Sequence, residues 1–120
     1  MSVASGTMTA EWRTRVLAFY SRHFGWSEIE SLRLPDRMTL DVGRGNYVNI
    51  RERNDPMICS DYEHIGLLVD SAEAVEVTWA EFAREDVDVH LEALQRGVDG
   101  YLSFRFRHLL PLTIEVQYIP

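Results

Sequence analysis

One pattern occurs twice along this chain of 120 residues: a strand-like start, a helical stripe, then segments of alternating apolar and polar residues. Asn54-Asp55-Pro56, a loop-forming run, separates the two occurrences and divides the chain nearly in half. An order of strand, helix and three strands, repeated, limits the fold more than any composition does. Each copy is one supersecondary unit that has to bury an apolar sheet face and an apolar helix stripe.

The helices are the clearest elements. From Thr9, apolar residues fall at Trp12, Val16, Leu17, Tyr20 and Phe24, with Thr9 as N-cap, Glu11 in the first turn and Gly25 as the stop. A second stripe starts near Ser71 and carries Ala72, Val75, Trp79, Phe82 and Ala83, while Glu73, Glu76, Glu81 and Arg84 face away. Strand alternation is read at Met38, Leu40 and Val42, and at Val48 and Ile50 after the turn Arg44-Gly45-Asn46. It returns at Ile65, Leu67 and Val69, and at Val87, Val89 and Leu91. Past the turn glycines Gly97 and Gly100 it continues at Leu102, Phe104 and Phe106, and at Ile114, Val116 and Tyr118. An offset of 59 sets Val16 on Val75, Ala18 on Val77 and Tyr20 on Trp79. The opening segment, Ser2 to Thr9, is small and polar, so a weak or short first strand is expected, frayed or paired with another chain.

The charge balance narrows the partners. A net charge of −7 argues against nucleic acid or an anionic membrane reached by long-range attraction. The single cysteine, Cys59, cannot form an internal disulfide, and its neighbourhood is acidic, which disfavours a thiolate. No basic-then-apolar leader and no apolar run of about 20 residues occurs, so the expected location is cytoplasmic. There is no G-x-S-x-G, H-E-x-x-H or paired C-x-x-C, and Gly43-Arg44-Gly45-Asn46 serves a hairpin turn rather than a phosphate.

Three stretches carry a resemblance: Phe19 to Trp26 (FYSRHFGW), His64 to Ser71 (HIGLLVDS) and Thr113 to Ile119 (TIEVQYI). In this order and spacing the chain resembles the vicinal oxygen chelate superfamily, which includes glyoxalase I, extradiol dioxygenases and the bleomycin- and fosfomycin-resistance proteins. It departs at His108 to Leu112, HLLPL, where that family usually has Asp-Pro-Asp-Gly-Asn. The resemblance implies an α+β fold, residues 1–120 as one glyoxalase-like domain. Its two βαβββ modules, about 1–54 and 61–120, would form a curled, cup-shaped mixed sheet with the helices outside.

It also implies where chemistry would sit. The family's metal enzymes take four ligands from inward-facing positions of the first and fourth strands of each module. Here the second module offers His64 and Glu115, while the matching first-module positions are Ser5 and Asn49. Two good ligands hold zinc, nickel, iron or manganese weakly, so no metal is favoured. His64 and Glu115 are the catalytic candidates, as ligands if a divalent metal is present or as proton carriers without one.

Strand parity supplies a second argument. If the apolar members pack on the helices, the others share a face: Thr39, Asp41, Tyr47, Asn49, Arg51, His64, Ser103, Arg105, Arg107, Thr113, Glu115 and Gln117. On a flat sheet this face is solvated; on a curled one it lines a polar cavity. Candidate ligand contacts are Tyr47, Asn49, Arg51, His64, Arg105, Arg107, Glu115 and Gln117. The three arginines suit carboxylate, phosphate or enolate oxygens, or else they balance Asp41 and Glu115. The expected function is therefore binding of a small organic anion or oxygen-rich ligand, as in the resistance proteins. A metal-dependent lyase, isomerase or dioxygenase is the alternative. A ligand-free interaction module, dimeric through HLLPL and the terminal QYIP, is the second; a homodimer is implied by the resemblance.

Overall fold

The computed structural model describes residues 1–85 and 88–120, which divide into two compact units, 1–58 and 59–120. The doubtful opening segment does form a strand, but a short one: β1, Ser2–Ala4, pairs in parallel with a later strand of its own unit and buries Val3. Helix α1, Ala10–Phe24, starts where expected, with Thr9 Oγ1 accepting from the Trp12 N–H at 3.1 Å. It ends at Gly25, whose φ of 69° is the left-handed conformation a helix stop requires.

Three strands follow: β2, Ser27–Glu28; β3, Arg37–Gly43; and β4, Asn46–Arg53. They complete a sheet of order β1-β4-β3-β2. Between β3 and β4, Arg44 and Gly45 both have positive φ, 55° and 77°, the mirror-image turn whose twist matches a hairpin.

The second unit repeats the plan with β5, His64–Leu68; α2, Ala72–Glu85; β6, His90–Leu91; β7, Gln95–Arg96; β8, Leu102–Arg107; and β9, Thr113–Tyr118. Its order is β5-β9-β8-β6, with β7 also on β8 and β5 parallel to β9. The Ser71 hydroxyl accepts from the Ala74 N–H at 3.1 Å, so α2 also has a side-chain cap. The first unit is thus a βαβββ module, the second has the same order with one further two-residue strand after its helix, and the chain is α+β.

Two readings change. The strand expected over Val87, Val89 and Leu91 is confined to His90–Leu91: Val89 lies in a bend, and Val87 is outside the described residues. The HLLPL turn turns inward, with Leu110 buried and its neighbours half-buried around a Leu109 φ of 61°.

Core residues follow the periodicity. In the first unit Val16, Tyr20, Met38, Leu40 and Ile50 are fully buried, and Tyr20 stacks on Trp26 at 4.9 Å. In the second, Phe82 meets Phe106 and Phe104 edge-on at 4.9 and 5.6 Å, beside Val75, Ile114 and Val116. Val16 and Val75, matched by the offset of 59, are both fully buried. The hairpins, however, match at an offset of 66: Thr39 faces Asn49 as Arg105 faces Glu115.

Candidate functional site

Pairing of β8 with β9 sets Arg105 opposite Glu115 and Ser103 opposite Gln117, so the odd-numbered residues of both strands project from one face. The parallel strand β5 adds His64 beside Thr113 and Gly66 beside Glu115. Glu115 is the centre of this face. Only 5% of it is exposed, and a carboxylate that deep needs partners. His64 Nε2 lies 2.9 Å from its Oε2, Arg105 Nε is 3.8 Å from the same oxygen, and the Tyr101 hydroxyl is 3.1 Å from Oε1.

The histidine is fixed from both sides. Its Nδ1 is 3.0 Å from the Tyr62 carbonyl oxygen, while Nε2 faces the carboxylate. Both ring nitrogens therefore face acceptors. A doubly protonated ring, or a protonated Glu115, satisfies both contacts; a neutral ring beside an ionised carboxylate satisfies one.

Tyr101 was not among the sequence candidates. It precedes β8, and its ring packs on Gly97, where an added Cβ would stand 2.8 Å from Tyr101 Cδ1. Its hydroxyl also lies 3.3 Å from Gln117 Oε1, so one O–H is shared between two acceptors. Gly66 leaves the space that the Gln117 amide occupies.

The arginines are less satisfied. Arg107 donates through Nη2 to Thr113 Oγ1 at 3.0 Å. Among the described residues, the Nε atoms of Arg105 and Arg107 and the Ser103 hydroxyl are buried without a hydrogen-bond partner. Ser103, Thr113 and Glu115 are all buried, so the middle of this face is not a solvated surface.

The first-unit candidates do not form a matching cluster. Asn49 donates through Nδ2 to Thr39 Oγ1 at 2.9 Å, and its Oδ1 accepts from Arg51 Nε at 3.2 Å. Tyr47 is 66% exposed. Asp41 caps the β3–β4 turn by accepting from the Gly43 N–H, and among the described residues it pairs with no arginine. Ser5, set against His64 by the offset of 59, lies past the end of β1 and donates to Asn54 Oδ1 at 2.8 Å. The reason is register: β1 pairs only with Arg51–Arg53, whereas β5 pairs along β9 from Thr113.

These donors do not fit a transition metal. His64 and Glu115 are spent on each other beside a guanidinium, and both ends of the Asn49 amide are engaged. Among the described residues no group of three or more His, Cys, Asp or Glu side chains could hold a metal ion. No helix among them is long and apolar enough to cross a membrane.

Comparison with solved structures identifies the fold. A glyoxalase/bleomycin resistance protein/dioxygenase family enzyme from Burkholderia phytofirmans PsJN superimposes with a TM-score of 0.72 at 16% identity, covering 100% of this chain and 94% of that one. The fosfomycin resistance protein FosX from Listeria monocytogenes gives 0.71 at 17%, covering 100% and 88%, and has also been solved with Mn(II) and sulfate. Lactoylglutathione lyase from Agrobacterium tumefaciens gives 0.66 at 19%, covering 98% and 90%. No family model and no curated protein matches the sequence. The likeness is one of fold, and it bears out the resemblance to the vicinal oxygen chelate superfamily at that level.

Proposed function

We propose that this protein binds a small organic anion or oxygen-rich ligand on the polar face of its second module, through Arg105 and Arg107 with His64, Glu115 and Gln117 around them. One observation carries the reading: two guanidinium Nε groups and the Ser103 hydroxyl are buried on one face without hydrogen-bond partners. Leaving such donors unmade costs about 1–3 kcal/mol each, more for charged groups, so a cluster of them is explained by a ligand that completes them. Carboxylate, phosphate and enolate oxygens match a guanidinium fork. The structural neighbours named for fosfomycin and bleomycin resistance support a binding role on this fold. A homodimer belongs to the same proposal and is checked by light scattering.

The test is a thermal-shift and calorimetric screen of small carboxylates, phosphates and phosphonates, repeated on Arg105→Ala. A hit that loses at least tenfold in affinity supports the reading. An unchanged affinity overturns it. A second reading, metal-free proton transfer by His64 and Glu115, is favoured by their 2.9 Å contact and by the Tyr62 carbonyl that orients the ring. Turnover of a bound hit that disappears in both His64→Gln and Glu115→Gln would establish it; a hit recovered unchanged would exclude it for that compound.

A further inference from the structure

At one end of this polar face the second unit holds a cavity of about 220 Å³, lined by Asp61, His90, Glu92, Phe106, Arg107 and Thr113. Strand pairing builds it. His90 stands opposite Arg107 across β6 and β8, and Glu92 follows two residues later. The Glu92 backbone is held twice: its N–H donates to the Arg105 carbonyl at 2.9 Å, and its carbonyl accepts from Trp79 Nε1 at 3.0 Å.

The charges around this cavity are of both signs and are not spent on one another. Among the described residues Arg107 makes no ion pair, and neither does Asp61 or Glu92. A simple anion at Arg107 would meet two carboxylates, and a simple cation at those carboxylates would meet Arg107. A small group carrying both charges satisfies both ends. The volume also limits the occupant, because drug-sized ligands need roughly 300–1,000 Å³.

We infer that this cavity seats a small zwitterionic group, its oxyanion against Arg107 and the Thr113 hydroxyl, its protonated amine against Asp61 and Glu92. Thr113 Oγ1 already accepts from Arg107, so its own proton is free to donate to that oxyanion. The inference rests on the binding role proposed above and names the chemical class of one end of the ligand.

Glycine, β-alanine and γ-aminobutyrate span three charge separations, with acetate and methylammonium as single-charge controls. Each is titrated into the ¹⁵N-labelled full chain. The expected result is at least one zwitterion binding tenfold or more tighter than either control, shifting the amides of His90, Glu92 and Arg107. Arg107→Lys should weaken that binding about tenfold. Asp61→Asn with Glu92→Gln should erase the preference over acetate while the spectrum stays dispersed. Acetate binding as tightly as every zwitterion, or a preference that survives the double substitution, overturns the inference. If acetate still shifts Arg105 and Arg107, the broader binding role stands without it. If no probe shifts any residue of the face, both fail.

Discussion

The two modules share a topology and use their buried charge differently. In the first, the buried carboxylate is Glu28 on β2, paired with Arg33 and 3.6 Å from Arg13. Arg13 in turn donates to the Leu34 and Pro35 carbonyls at 2.6 and 3.0 Å, so this cluster ties α1 to the segment before β3. In the second, the buried carboxylate is Glu115 in mid-sheet, and its partners are a histidine, a tyrosine and an incompletely bonded arginine. One module spends its ion pairs on structure. The other leaves hydrogen-bonding capacity unused on a face.

Substitutions can break or sharpen that contrast. The largest effect is expected at Phe82→Ala, which removes the ring between Phe104 and Phe106 and should cost about 3–5 kcal/mol in urea unfolding. Next, Glu115→Gln leaves His64 and Arg105 without their counter-charge. Because both partners are partly exposed, a loss of about 1–3 kcal/mol is expected, against about 1 kcal/mol for Asn49→Ala. Equal losses would erase the distinction between the two faces. Glu28→Gln should cost about as much as Glu115→Gln yet leave the affinity of any anionic hit unchanged, whereas Glu115→Gln should alter it.

Alkaline pH gives a smaller effect. Burial raises the Tyr20 phenol well above its ordinary range. An acid whose folded pKa is raised contributes stability below its unfolded value, and that stability is lost as pH climbs above about 10. The urea midpoint should therefore fall between pH 9 and about 11 less steeply in Tyr20→Phe than in the parent; an unchanged slope would refute this. The smallest effect is expected at Gly66→Ala. Its Cβ meets only the far end of Gln117, so the cost should stay below about 1 kcal/mol while the Gln117 amide is displaced, visible as a shift of its side-chain NH₂ resonances.

How much of this was legible follows from length and parity. Long alternating strands and capped helices were readable because many residues repeat one period, as at Leu102, Phe104 and Phe106. The two-residue strands β2, β6 and β7 show no period, so tertiary pairing alone defines them. His64, Arg105, Arg107, Glu115 and Gln117 were brought to one face by parity that sequence does carry. Tyr101 has the same parity as Ser103 and Arg105, and continuing that register two residues back from Ser103, to the residue that follows the Gly97–Gly100 turn, finds it. His90 and Glu92 alternate with Val89 and Leu91, so parity carries them as well, whereas Asp61 has no such signal because it lies in the loop before β5 and outside any strand period.

The repeat does not keep one offset: the helices start 62 residues apart, at Ala10 and Ala72, whereas the hairpins match at 66, a difference of four residues. In the second module the extra length falls between α2 and β8, at the margin of the sheet where β6 and β7 make only short pairings. Chain length there can change without sliding β8 against β9. That margin is a place where loop and edge-strand residues around the cavity can be exchanged while the paired strands that hold Arg105 against Glu115 keep their register.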